Sequence, residues 1–150
     1  MAEFDVIEQE LDKHGVYATR TTGTSMRPLF KTHRDMVIIE KPKGELEKYD
    51  VALYHSINGK EYVLHRVIAV REKDYVIRGD NTFVKEYVPK EAVVGVLTAF
   101  NRKGKRHSTD DLGFRVYSVI WNFIYPVRFV FRCFRNVLAK IYHKIFRKKN

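Results

Sequence analysis

Gly23-Thr24-Ser25-Met26-Arg27-Pro28 sets a serine between a glycine and a proline. Glycine admits backbone conformations closed to other residues. Proline fixes its own φ and biases the residue before it towards an extended geometry. The serine is therefore expected on a stiffened turn, held as a nucleophile needs to be. The plainer alternative is that Thr21, Thr22, Thr24 and Ser25 form only a polar loop.

Strand-like segments flank this turn. Val16 to Thr21 leads in; Asp35 to Glu40 leads out, until Lys41-Pro42-Lys43-Gly44 ends it. Tyr49 to His55 and Glu61 to Arg71 read as strands joined through an Asn58-Gly59 hairpin signal. Tyr75 to Arg78 pairs back after a turn at Lys73-Asp74, Asn81 to Lys90 reads as a loop, and Ala92 to Phe100 reads as a last strand broken by Gly95. Ahead of them, Phe4, Val6, Ile7 and Leu11 recur at helical spacing up to Gly15, which predicts a short helix, a lid or packing element. Many short strands between turn signals predict a mainly β fold, a partly closed barrel or a sandwich.

A serine hydroxyl is a weak nucleophile at neutral pH and needs a base. Val63-Leu64-His65-Arg66-Val67-Ile68 offers one. Strand alternation puts His65 on the face of Val63 and Val67 and turns Leu64 and Arg66 the other way. Histidine titrates near neutrality, so it can accept a proton and return it. On an apolar strand face, taken by itself, a histidine is more often a satisfied core residue. His55, at a strand end, is the nearest rival; His14, His33, His107 and His143 read as surface residues. Asp80, in Gly79-Asp80-Asn81, directly follows a strand, where its plain reading is a turn residue.

Taken together, Gly23-x-Ser25-Met26-x-Pro28, Leu64-His65-Arg66-Val67 and Gly79-Asp80-Asn81 resemble, in order and spacing, the motifs of type I signal peptidases. The resemblance spans Thr19 to Phe100. Histidine where the common bacterial enzymes have lysine resembles the archaeal and endoplasmic-reticulum branch, in which serine and histidine work together. The resemblance implies a signal peptidase/LexA-like partly closed β-barrel; the short N-terminal helix and a C-terminal amphipathic helical tail are expected from the residue pattern outside it. It implies a serine endopeptidase acting through an acyl-enzyme, with Ser25 as nucleophile and His65 as base. It puts an aspartate, here Asp80, near the serine turn. The acid that pairs with histidine in that branch falls in Thr82-Phe83-Val84-Lys85-Glu86, where Glu86 stands in place of aspartate. The third role stays open between Asp80 and Glu86. The Ser25 N–H is the expected oxyanion donor, Gly23 supplies no side-chain hydroxyl, and Met26 is expected to wall the substrate cleft. The implied substrate is an extended peptide with small residues before the cut. No metal or organic cofactor is required.

The formal net charge of +10 is unevenly spread: residues 1–100 carry 15 Lys and Arg against 16 Asp and Glu, whereas 101–150 carry 13 against only Asp110 and Asp111. A nucleic-acid partner would want basic residues on the folded part too and is not expected. A basic, aromatic-rich tail fits an anionic membrane surface. Residues 1–100 are thus expected as a peptidase β-domain, 101–113 as a polar linker, and 114–150 as a basic amphipathic helical tail that Pro126 kinks or splits. The uncharged run from Val116 to Val127 falls well short of the ~20 residues needed to cross a membrane. Arg128, Arg132 and Arg135 make crossing costly. Two helices lying in the interface are expected; a hairpin packed on the barrel or on a partner and a short span are the alternatives.

Met1 to Asp5 is acidic and has no apolar core of signal-peptide length, a departure from signal peptidases, which usually begin with an anchor. The expected location is peripheral, with the cytoplasmic face favoured. A single cysteine, Cys133, rules out an intrachain disulfide and a thiolate zinc site. The competing function is a catalytically inactive module of the same fold that binds peptides or recruits a partner to membranes. A self-cleaving repressor is a further reading, and the segment before Ser25 is too short for the DNA-binding domain it would need.

Overall fold

Short apolar runs with turn residues between them build one sheet of eight strands. The computed structural model describes residues 3–56 and 61–146, so the Asn58-Gly59 hairpin signal lies outside the described residues. Helix α1 (Glu3–His14) precedes β1 (Val16–Arg20), β2 (Met36–Glu40), β3 (Val51–His55) and β4 (Tyr62–Val70). Then come β5 (Asp74–Arg78), β6 (Glu86–Pro89), β7 (Val93–Arg102) and β8 (Lys105–Ser108). Two helices close the described chain, α2 (Leu112–Phe123) and α3 (Tyr125–Phe146).

The strands run in the order β1-β2-β7-β3-β4-β5-β6, all paired antiparallel, and β8 also pairs with β7. The expectation of a mainly β, partly closed barrel is overturned. The sheet is open, neither closed nor curled into a barrel, and helix (32%) nearly equals strand (35%). The physical reason is that β1 and β6 end the sheet without meeting, while α2 and α3 add a second class of structure. The description as a β-barrel of the signal peptidase I type therefore does not carry over to this fold.

Three local expectations also change. The segment 81–90, expected as a loop, contains edge strand β6, with Pro89 at its last position, where a missing N–H costs no ladder bond. The segment 101–113, expected as a linker, contains β8, folded back on β7 through Lys103-Gly104. Gly95 does not break β7; it pairs with Leu53, and a Cβ there would run into Ile39.

Two apolar clusters cover the two faces of the sheet. One gathers Leu11, Met26, Phe30, Val37, Ile39, Leu53 and Phe114. The other gathers Ala52, Tyr54, Val67, Tyr75, Ile77 and Val88. Leu11 anchors α1 in the first cluster, and Gly15 ends the helix with a φ of 72° and a bond from its N–H to the Leu11 carbonyl. Helix α2 buries Phe114 and Ser118 on the domain, so it belongs to the fold rather than to a detached tail. The helices part at Ile124, with Pro126 early in α3 where its lost N–H is tolerated. Along α3, Phe131 and Phe134 remain 69% and 61% exposed. No described helix is long and apolar enough to cross a membrane.

Candidate active site

The serine turn is fastened at both ends. Thr21 and Asp35 close it, the Thr21 N–H donating to the Asp35 carbonyl at 3.0 Å and the His33 N–H to the Thr21 carbonyl at 2.9 Å. The buried Asp35 carboxylate accepts from the Lys31 N–H at 2.9 Å and from the Arg34 guanidinium at 2.6 Å. Inside the turn, Met26, Leu29 and Phe30 are buried and act as anchors, leaving Ser25 half-buried at the surface. Gly23 takes a φ of 75°, with nothing near the position of a Cβ, so the backbone angle is what requires glycine there.

His65 arrives on β4, 7% exposed. As alternation requires, it sits on the opposite face from Leu64, opposite Ala52 of β3. Pairing of β4 with β5 begins only at Arg66 and Arg78, so His65 lies just beyond the end of that ladder. Gly79 follows β5 directly. A Cβ at Gly79 would stand 2.8 Å from the Ser25 carbonyl oxygen and 2.9 Å from His65 Nε2. No real side chain tolerates such contacts, so glycine is what lets serine turn and imidazole approach here. The Asn81 N–H donates to the Ser25 carbonyl at 2.7 Å, and the Asn81 side chain donates to the Thr24 carbonyl at 3.2 Å. The Gly79-Asp80-Asn81 turn thus holds Ser25 beside His65. Among the described residues, the Ser25 hydroxyl makes no hydrogen bond, and its amide N–H donates to no protein acceptor.

The other imidazole nitrogen faces an acid. Nδ1 of His65 lies 2.9 Å from Oε1 of Glu86 and 3.1 Å from the Tyr54 hydroxyl. The Tyr54 hydroxyl donates to Glu86 Oε2 at 2.8 Å. A carboxylate beside Nδ1 favours the tautomer with its proton there, which leaves the lone pair on Nε2, the ring atom next to Gly79. Burial lowers the basicity of His65, while Glu86 and Asp80 act to raise it. The net direction is down, so the ring is neutral at pH 7 and able to accept a proton.

Asp80 goes elsewhere. Its carboxylate takes a bidentate bond from Arg66, at 2.8 and 2.9 Å, and another from the Tyr117 hydroxyl at 2.9 Å. Both Arg66 and Asp80 are buried. Arg66 also donates to Ser118 at 2.6 Å and to the Tyr49 carbonyl at 3.0 Å. The Asp80 carbonyl accepts from Trp121 at 2.9 Å and from Arg128 at 2.6 Å. Of the two candidate acids, then, Glu86 meets His65 and Asp80 ties the turn to Arg66 and the C-terminal helices. The rival histidine, His55, bonds to Glu8 of α1 at 2.7 Å, away from Gly79; neither it nor His65 is among the residues that line the cavity beside Ser25.

That cavity has a volume of about 530 Å³. Ser25, Gly23 and Met26 border it. Apolar side chains such as Phe30, Ile39 and Leu64 line it, together with Tyr17 and Thr19 of β1 and Tyr62 and Val63 of β4. Among the described residues, β1 is the last strand of the sheet, and Val63 to His65 of β4 pair with β3 and with no other described strand. Among the described residues, β1 and the 63–65 stretch of β4 therefore present open edges of the sheet.

Three participants were not foreseen: Tyr54, the Arg66–Asp80 pair and the hold of α2 on that pair. Tyr54 lies in a plain strand pattern that carries no sign of it, and the Leu64-His65-Arg66-Val67 motif that holds Arg66 does not reveal its partner. Among the described residues no group of three His, Cys, Asp or Glu is arranged to hold a metal ion. Compared with known families and curated proteins, the chain matches no family model and none of the proteins.

Proposed function

We propose that this chain is a serine endopeptidase that cleaves signal or leader peptides through an acyl-enzyme at a membrane surface. The observation that carries the reading is the convergence of the Ser25 carbonyl and His65 Nε2 on Gly79, with Glu86 on the far side of the same ring. In this reading the Ser25 hydroxyl turns towards Nε2, which takes its proton as the oxygen bonds to the peptide carbonyl carbon. The unengaged Ser25 N–H receives the oxyanion. The C–N bond breaks, and the imidazolium hands its proton to the leaving amine. Water, deprotonated by His65, then releases the acyl group.

The cavity between the β1 and β4 edges suits a substrate added in extended form, its backbone bonded to the strands and its side chains in the apolar floor. Small residues before the cut follow from the motif resemblance alone; the cavity is larger than an alanine needs. The membrane part of the reading rests on α3. It bears Arg128, Arg132, Arg135, Lys140 and Lys144 and no acidic residue, beside an exposed apolar stripe. In this reading the protein lies peripherally, on an anionic cytoplasmic leaflet.

Cleavage of a peptide with alanines before the scissile bond tests this. Ser25→Ala and His65→Ala should each abolish turnover while leaving the fold intact. A second reading, a peptide-binding module without catalysis, is favoured by the unengaged Ser25 hydroxyl. Peptide binding with no turnover by the unaltered chain would select it.

A further inference from the structure

Beside Nδ1 of His65 and the Glu86 carboxylate stands a phenol that no motif signals. Tyr54 lies on β3, diagonal to His65 across the β3–β4 pair: Ala52 opposes His65 and Tyr54 opposes Val63. Diagonal neighbours on one face of an antiparallel pair are within reach of aromatic side chains. The two rings lie 6.2 Å apart, tilted by 58°. Tyr54 has no exposed surface. A phenol so buried must find polar partners or lose their full hydration, and the partners it has are both site residues, Glu86 Oε2 and His65 Nδ1.

We propose that Tyr54 is a positioning residue: its hydroxyl locks the Glu86 carboxylate in place against Nδ1 of His65. The inference rests on the reading of His65 as the base and deepens it. The directions of donation are fixed by chemistry. The hydroxyl proton goes to Oε2, and the Nδ1 proton goes to Oε1, with the phenol oxygen as a weaker second acceptor. Each carboxylate oxygen then has one donor, and the acid cannot rotate without losing both.

The lock matters because Glu86 is otherwise poorly held. It opens the short edge strand β6, and its side chain keeps 23% of its surface exposed. Water competes for a carboxylate at such a place. Without the hydroxyl, Glu86 turns to solvent and the imidazolium loses its counter-charge. The phenol itself stays a donor across the working range, since burial and Glu86 both push its ionisation up. The groups that face His65 are Glu86 from β6, Tyr54 from β3 and, more distantly, Asp80 from the turn after β5, itself held by Arg66.

Tyr54→Phe keeps the ring and removes only the lock. The test compares Tyr54→Phe, Glu86→Gln and the double variant in the full chain, by NMR titration of the His65 imidazole and by peptide cleavage. The expected result has three parts. The His65 pKa falls in Tyr54→Phe, in the same direction as in Glu86→Gln. The double variant falls no further than Glu86→Gln. The kcat of Tyr54→Phe drops roughly tenfold with KM unchanged, as for a residue acting through the base. A His65 titration unmoved by Tyr54→Phe, or effects that simply add in the double variant, would overturn the proposal. The titration needs no turnover, so a chain that cleaves nothing yet shows the coupled shift retains the lock and loses the protease reading.

Discussion

Nδ1 of His65 and Oε1 of Glu86 meet at 2.9 Å although their strands, β4 and β6, are not neighbours in the sheet. Strand β5 lies between them and stops at Arg78, and the contact forms just past its end. An acid reaches the ring there, while Arg66, the next residue on β4, pairs with Asp80 on the other face. The two carboxylates therefore make separable predictions. Glu86→Gln should reduce cleavage by at least about 100-fold with little change in melting temperature. Asp80→Asn leaves a buried arginine without its counter-charge and should cost about 3–5 kcal/mol of stability. Rates and thermal melts of both variants check this; the reverse pattern would exchange their roles.

The pH profile should follow His65. Burial holds its pKa below the ordinary 6.5, so the acid limb of kcat/KM should lie below pH 6.5. The same shift acts on stability. Between 6.5 and the lower folded value, the unfolded chain binds the extra proton, so this contribution to stability declines as pH falls through that window. A limb at or above 6.5 would mean that His65 is not the group being titrated.

Gly79→Ala should be damaging for a reason unrelated to backbone angle. Its Cβ would press on the Ser25 carbonyl and on the imidazole. One neighbour is backbone and cannot swing aside, so about 1–3 kcal/mol of stability and more than tenfold in activity should be lost. Gly44→Ala is the control, because nothing lies within 4 Å of its Cβ. Equal behaviour of the two variants would remove Gly79 from the site.

Helix α3 should bind vesicles containing phosphatidylglycerol and not vesicles of phosphatidylcholine alone, with binding weakened by salt. Phe131→Ser together with Phe134→Ser removes two exposed rings and should weaken binding at least tenfold. Co-sedimentation of the full chain measures this. Equal binding to both vesicle types would count against an electrostatic surface role.

Much of this organisation was legible in the sequence. The strands around Ile38, Leu53, His65 and Val76 follow from alternation and turn residues, and the helix break at Ile124 follows from Pro126. The face of His65 follows from period two. Closure of the sheet does not: whether β1 and β6 meet depends on twist and edge geometry, which no residue pattern between Val16 and Pro89 records. Glu86 was left level with Asp80 because 81–90 read as a loop, and only the ladder from Ile77 to Glu86 aims that side chain. Alternation puts Arg66 on the face opposite His65 but does not show its burial, because its partners Ser118 and Tyr117 come from a distant segment with a helical pattern of its own.

The claim beneath all of this is that the hydroxyl of Ser25 passes its proton to His65 on attacking a peptide carbonyl. Mass spectrometry of the full chain, quenched early in the cleavage of an alanine-containing peptide, tests it most directly. The account predicts an acyl adduct on Ser25 that is missing in His65→Ala. Undiminished turnover in Ser25→Ala, or an adduct on Ser25 that forms equally fast without the imidazole, would contradict it.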